Sequence, residues 1–168
     1  MRLACSAVLS SLVLGAVVGA APDSREGRPP VVASPSPASG AAARVIEIAV
    51  GDNMRFVPSA VSASPGELVK VVLRDTGQLP KLAMAHNFVL LKPGVDPKAF
   101  VDKSAAARET AFIAPAVQDE VLAHTGLVGP GETSEVTFAA PARPGVYTFL
   151  CSFPGHFALG MKGVLTVK

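Results

Sequence analysis

The 168-residue chain is poor in the residues that most site chemistries draw on. It has two cysteines, Cys5 and Cys151, one near each end. That is too few for a disulfide scaffold or an all-cysteine zinc site. It has no tryptophan, one tyrosine and three histidines, His86, His124 and His156, so any metal chemistry must use this short set. Charged residues are 17% of the chain and the net charge is +2, with the charges scattered singly. No basic run or stripe is present, and nucleic acid is not an expected partner. Hydrophobic residues make up 49%, which excludes disorder of the whole chain. The length suits one domain of ordinary size with appendages.

The appendages come first. Residues 1–21 read MRLACSAVLSSLVLGAVVGAA: one cation, Arg2, precedes a run of small and aliphatic residues. Val18 and Ala20 occupy the −3 and −1 positions of a signal-peptidase site, so the segment reads as a secretory signal peptide. The competing reading is an uncleaved N-terminal anchor, because the run approaches the roughly 20 residues of a membrane span. No Arg-Arg pair precedes the run, so export of the unfolded chain is expected, with metal acquired outside the cytoplasm. The expected location is periplasmic or otherwise extracytoplasmic, free or membrane-tethered. Cleavage removes Cys5 and leaves Cys151 alone in an oxidising compartment, where a free thiol is a liability. Cys151 is then a buried core residue, a metal ligand or a nucleophile.

Residues 22–43 are rich in Pro, Ala, Ser and Gly without hydrophobic periodicity, and read as a linker. If the N-terminus stays in the membrane, this linker extends to roughly 70 Å and forms a tether. From residue 44 to 168 the texture changes to short apolar runs separated by turn signals. Strands are expected over 44–50, 60–64, 68–74, 86–91, 134–138, 146–151 and 163–167. Val69, Val71 and Leu73 share one face and Lys70 and Arg74 the other, the alternation of a half-buried strand. Such spacing with Gly/Pro turns predicts an antiparallel sandwich or barrel. The interruption over 93–120 contains helix formers at 97–108 with Asp96 as a cap, and reads as a helix or flap inserted between strands.

The chemistry concentrates in Cys151-Ser-Phe-Pro-Gly-His156-Phe-Ala-Leu-Gly-Met161. Cysteine, histidine and methionine recur every five residues on a loop between two expected strands. Cys151 ends its strand facing the core with Tyr147 and Phe149. Pro154 and Gly155 turn the chain so that His156 folds back, and Met161 opens the next strand. His86 shares a face with Phe88 and Leu90 and supplies a second imidazole from across the sandwich. A thiolate, two imidazoles and an axial thioether form the donor set of a blue-copper electron-transfer site. Copper(I) favours soft sulfur and copper(II) favours nitrogen and a flatter geometry. A mixed set on a stiff sheet serves both states with little movement. Zinc fits the same atoms less well: a structural site does not favour a thioether, and a catalytic one keeps a water position. His124 lies beside a glycine-rich turn and reads as a surface histidine.

At these residues the chain resembles the cupredoxins, of the azurin, auracyanin and plastocyanin type. The resemblance is carried by Met84-Ala-His-Asn-Phe-Val-Leu, Ala123-His-Thr-Gly-Leu-Val-Gly, Gly131-Glu-Thr-Ser-Glu-Val-Thr-Phe and Cys151-Ser-Phe-Pro-Gly-His-Phe-Ala-Leu-Gly-Met-Lys-Gly. It implies an all-β Greek-key sandwich with a short helical flap. It also implies one type 1 copper ion, with His86, Cys151 and His156 equatorial, Met161 axial, and the Ala85 carbonyl as a weak contact on the far axis. Asn87 is expected to tie the two ligand segments together by hydrogen bonds. Azurins have one residue fewer between the loop histidine and methionine, and the spacing here looks like auracyanin. Asp75 stands where azurins often carry a histidine, so pH behaviour tied to that histidine is not implied. Phe88 stands where many carry tryptophan, and the azurin disulfide has no counterpart.

The resemblance implies a one-electron carrier, not an enzyme, that docks redox partners weakly and transiently. The ligand loop is apolar and almost uncharged, so Met84, Pro154, Phe157, Ala158 and Leu159 are expected to form an electron-transfer patch beside His156. Copper delivery or storage is the alternative, but the four methionines and three histidines make no exposed tract. A copper reductase or oxidase needs further copper sites, for which only His124 is left.

Overall fold

A computed structural model describes residues 42–168. The expected leader over 1–21, with Cys5, and the linker up to residue 41 lie outside the described residues. Eight strands run in the order β1 (Arg44–Val50), β2 (Ala60–Ala63), β3 (Leu68–Asp75), β4 (Val89–Leu91), β5 (Val121–His124), β6 (Thr133–Ala139), β7 (Gly145–Leu150) and β8 (Lys162–Val167). A short helix, α1 (Lys81–Met84), precedes β4, and a longer one, α2 (Pro97–Ser104), follows it.

The strands form two sheets, β1-β3-β6 and β2-β8-β7-β4-β5. This is the expected all-β sandwich, with one refinement. β1 pairs with β3, and β2 with β8, in parallel, while the remaining pairs are antiparallel. β1 and β2 follow each other in the chain but lie in different sheets, so each meets its partner only after the chain has crossed the sandwich.

Alternation explains the core. In β1, Ile46, Ile48 and Val50 are buried, and in β3, Val69, Val71 and Leu73 are. They meet Leu90, Tyr147, Phe149, Leu165 and Val167 from the second sheet. Phe149 is the hinge of this packing: Phe88 stacks on it at 4.9 Å between ring centroids, and Phe56 meets it edge-on at 5.1 Å. β4 is buried on both faces, because a second cluster lies behind it. There Val89, Leu91 and Leu150 pack against Phe100, Ile113 and Val117 of the inserted flap.

The flap is built as its sequence suggests. Asp96 caps α2, its carboxylate accepting from the Lys98 and Ala99 amides at 2.8 and 3.4 Å, and Pro97 takes the first helical position. Two 3₁₀ turns, Arg108–Thr110 and Pro115–Glu120, carry the chain on to β5. Neither β5 nor α1 is foreseen by the sequence reading. The expected strand over 86–91 begins later, at Val89. His86 instead forms an isolated bridge with Val128, each amide donating to the other's carbonyl at 2.8–2.9 Å.

Candidate metal centre

The centre is assembled at one end of the sandwich by two chain segments. Cys151 follows the last residue of β7, and Met161 precedes the first of β8. The Cys151 amide donates to the Met161 carbonyl at 3.2 Å, so the loop between them is pinned shut at its base. Gly155 turns the loop in the left-handed region, φ +86°, where a side chain would be strained. The His156 amide donates to the Phe153 carbonyl, and the Met161 amide to that of His156. These bonds fold the loop back over Cys151 and bring its Sγ within 3.5 Å of His156 Nδ1. His86, fixed by its bridge to Val128, approaches from the other segment, its ring centroid 4.9 Å from that of His156.

The donor atoms of His86, Cys151 and His156 all lie within 4.8 Å of one another, and all three residues are buried. Met161 is fully buried in the same core. Both ring nitrogens of His86 are buried without a hydrogen-bond partner. Buried polar atoms are normally satisfied, so this imidazole is short of a ligand. Cys151 is the free cysteine of the described residues. An orphaned imidazole, an unpaired thiol and a second imidazole converging on one point fit a metal ion, and the sulfur-nitrogen mixture fits copper.

Electrostatics agree. Burial pushes the Cys151 thiol up to about 12, although the Asn87 and Phe153 backbone amides donating to the sulfur pull the other way. Burial, with His86 beside it, brings His156 down to about 4. Burial also lowers His86, partly opposed by Asp75 and Asp52. Both imidazoles are therefore neutral and ready to coordinate at pH 7, while the thiol must lose its proton to a cation.

Asn87 is fully buried. Its Oδ1 accepts from the Ser152 amide at 2.9 Å, while its Nδ2 donates to Ser152 Oγ and to the Ala111 carbonyl, each at 2.9 Å. It thus ties the His86 segment to the Cys151 loop and to the flap. Phe153 was not singled out in the sequence, although it lies within the loop motif. Its ring packs on His156 at 4.7 Å and meets Phe112 edge-on at 5.1 Å.

The profile described as "Copper binding proteins, plastocyanin/azurin family" matches residues 42–168. The chain belongs to this family. It is 36% identical over 127 residues to auracyanin-B of Chloroflexus aurantiacus, covering 74% of this chain and 52% of that protein. The chain thus spans about half the length of that relative. It is 42% identical over 123 residues to azurin of Bordetella pertussis, covering 71% and 81% respectively. The dithionite-reduced auracyanin of the photosynthetic bacterium Roseiflexus castenholzii superposes with a TM-score of 0.64 at 37% identity, covering 77% of this chain and 99% of that one. The cofactor of this plastocyanin/azurin-type centre is copper, and the fold is that of the cupredoxins.

Within this cupredoxin, the residues expected at the patch divide. Pro154 and Ala158 are exposed, and Leu159 is 62% exposed. Met84 is half-buried. Phe157 is half-buried against the flap core, with Lys162 Nζ 5.6 Å above its ring, so only part of it faces outward. Leu82 on α1 is 75% exposed and was missed, because a four-residue helix leaves no periodic signal. With Ala85, Leu127, Phe112 and Phe153 it lines a groove rimmed by Lys81 and Arg108. Ala85 is buried and extended in backbone. His124 is exposed on β5 and is not part of the cluster.

Proposed function

We propose that this protein is a one-electron carrier working outside the cytoplasm, with His86, Cys151, His156 and Met161 as the residues that would hold copper and the Ala85 carbonyl as a further weak contact. The observation that carries this reading is a mixed sulfur and nitrogen donor set, buried and already convergent, on a frame fixed by two sheets. A bound copper ion supplies one-electron chemistry between its two common oxidation states. The chain's own residues keep that chemistry cheap in reorganisation. The Cys151–Met161 backbone bond, the His86–Val128 bridge and the Asn87 bonds hold the donors in place whichever state is present.

Burial of the whole donor set leaves no open position for a substrate, which supports a carrier over an enzyme. The dithionite-reduced auracyanin of Roseiflexus castenholzii is a similar protein in a reduced state, which supports a redox role. His156 is the ligand whose loop carries the exposed Pro154, Ala158 and Leu159, so electrons would pass at this face to partners docked weakly over a small area, typically under about 1,200 Å². Redox titration of the copper-loaded protein tests this: it should cycle reversibly through one electron. Irreversible loss of the metal on reduction would instead indicate a delivery protein.

A further inference from the structure

Asp75 breaks the pattern of its strand. The buried row of β3 runs Val69, Val71, Leu73, Asp75, and Asp75 is only 2% exposed. A carboxylate in such a row is costly unless its charge is paired or held by hydrogen bonds. Its Oδ1 accepts from the Gly77 amide at 2.7 Å, and among the described residues it takes part in no ion pair. Asp52 sits on the other side of the same turn, accepting from the Gln78 amide at 3.0 Å and the Leu79 amide at 3.2 Å. The turn leaves no room for a side chain at Gly77: a Cβ there would lie 3.0 Å from Asp75 Oδ1 and collide with the Asp52 carboxylate. Backbone N–H groups therefore wrap two carboxylates at the end of β3.

That end is the metal end. The Asp75 amide donates to the Glu132 carbonyl at 3.0 Å, and the Gly131 amide donates to the Asp75 carbonyl at 3.1 Å. The Glu132 amide in turn donates to the Gly129 carbonyl, next to Val128, the bridge partner of His86. One short loop thus fixes Asp75 relative to His86. The other acid of the loop, Glu132, is neutralised by Lys81 at 2.5 Å, and Arg74 is exposed.

We propose that Asp75, with Asp52 behind it, is a fixed negative charge that lowers the reduction potential of the copper centre from the His86 side. The proposal rests on the copper reading above. Reduction removes one positive charge from the centre, so a nearby negative charge favours the oxidised state. A buried charge acts through a medium of low dielectric and is little screened. Asp75 is a positioning residue for charge, with no contact to the metal required.

The test is a redox titration, followed by the visible band, of the copper-loaded wild type, Asp75→Asn and Asp52→Asn in dilute buffer and in 1 M salt. Asp75→Asn keeps the shape and the acceptor for Gly77. It should stay blue and shift the copper(II)/copper(I) equilibrium toward the reduced form by about threefold to tenfold, tenfold being about 59 mV for one electron. The shift should persist in 1 M salt. Asp52→Asn should give a smaller shift that disappears in 1 M salt, where the screening length is about 3 Å. A purely structural carboxylate would alter the melting temperature of Asp75→Asn and leave its potential alone. A blue Asp75→Asn within twofold of wild type overturns the proposal. If that variant does not fold, an unshifted Asp52→Asn in dilute buffer overturns it. Absence of a blue band in the wild type would instead defeat the copper reading beneath it.

Discussion

Cys151 carries the heaviest electrostatic burden in the centre. A thiol held up at about 12 stays protonated at neutral pH until a cation replaces its proton. Copper(II) uptake at pH 7 should therefore release one proton per ion, read in a weakly buffered titration, and Cys151→Ser should abolish most of that release. Asn87 presents the opposite case, a neutral residue whose worth lies in its bonds. Asn87→Ala leaves the Ser152 amide without the Oδ1 acceptor and the Ala111 carbonyl without the Nδ2 donor. A destabilisation of about 1–3 kcal/mol is expected in urea unfolding. No change would mean that these groups find other partners.

Among the elements, the loop from Cys151 to Met161 separates the proposed ligands from the proposed docking face. The donors of Cys151 and His156 are buried, while Leu159 is exposed. Leu159→Asp should slow electron exchange with a partner protein several-fold while leaving the visible spectrum unchanged, and unchanged exchange rates would remove the patch from the account. How much of each element could be read from sequence follows from its length and burial. β3 alternates over Val69, Val71 and Leu73 and was legible. α1 has four residues and buries none of them, too few to show a helical period. β5 is the four-residue edge of its sheet, reached directly from a 3₁₀ turn with no Gly or Pro between, so nothing announced its start. His86 looked like a strand residue because Phe88 and Leu90 continue its alternation, yet its amide and carbonyl are committed to Val128.

For the whole molecule, the two depressed imidazoles tie stability to pH. His156 falls from 6.5 to about 4 on folding, and His86 moves in the same direction. The unfolded chain therefore takes up protons first as the pH falls. The metal-free protein keeps the full contribution above about pH 6.5 and loses it progressively toward pH 4. Its melting temperature should decline across that window, and His156→Gln should flatten the decline. An equal decline in the variant would assign the effect to other groups. At this scale the convergence of His86, Cys151 and His156 was legible in the sequence. Cys151 and His156, with Met161 as a proposed third donor, share one loop at equal spacing, and only His86 had to be brought in from the other segment. The meaning of Asp75 was not legible, because an aspartate ending a strand looks like any solvated turn residue until its burial is seen.

The central claim is that the donors of His86, Cys151, His156 and Met161 enclose one copper ion in a blue site. The visible absorption spectrum of the copper-loaded protein tests it most directly. An intense blue thiolate-to-copper band is expected, bleached by dithionite and absent in Cys151→Ala. A colourless copper(II) protein, or a blue band that survives the loss of Cys151, would contradict it.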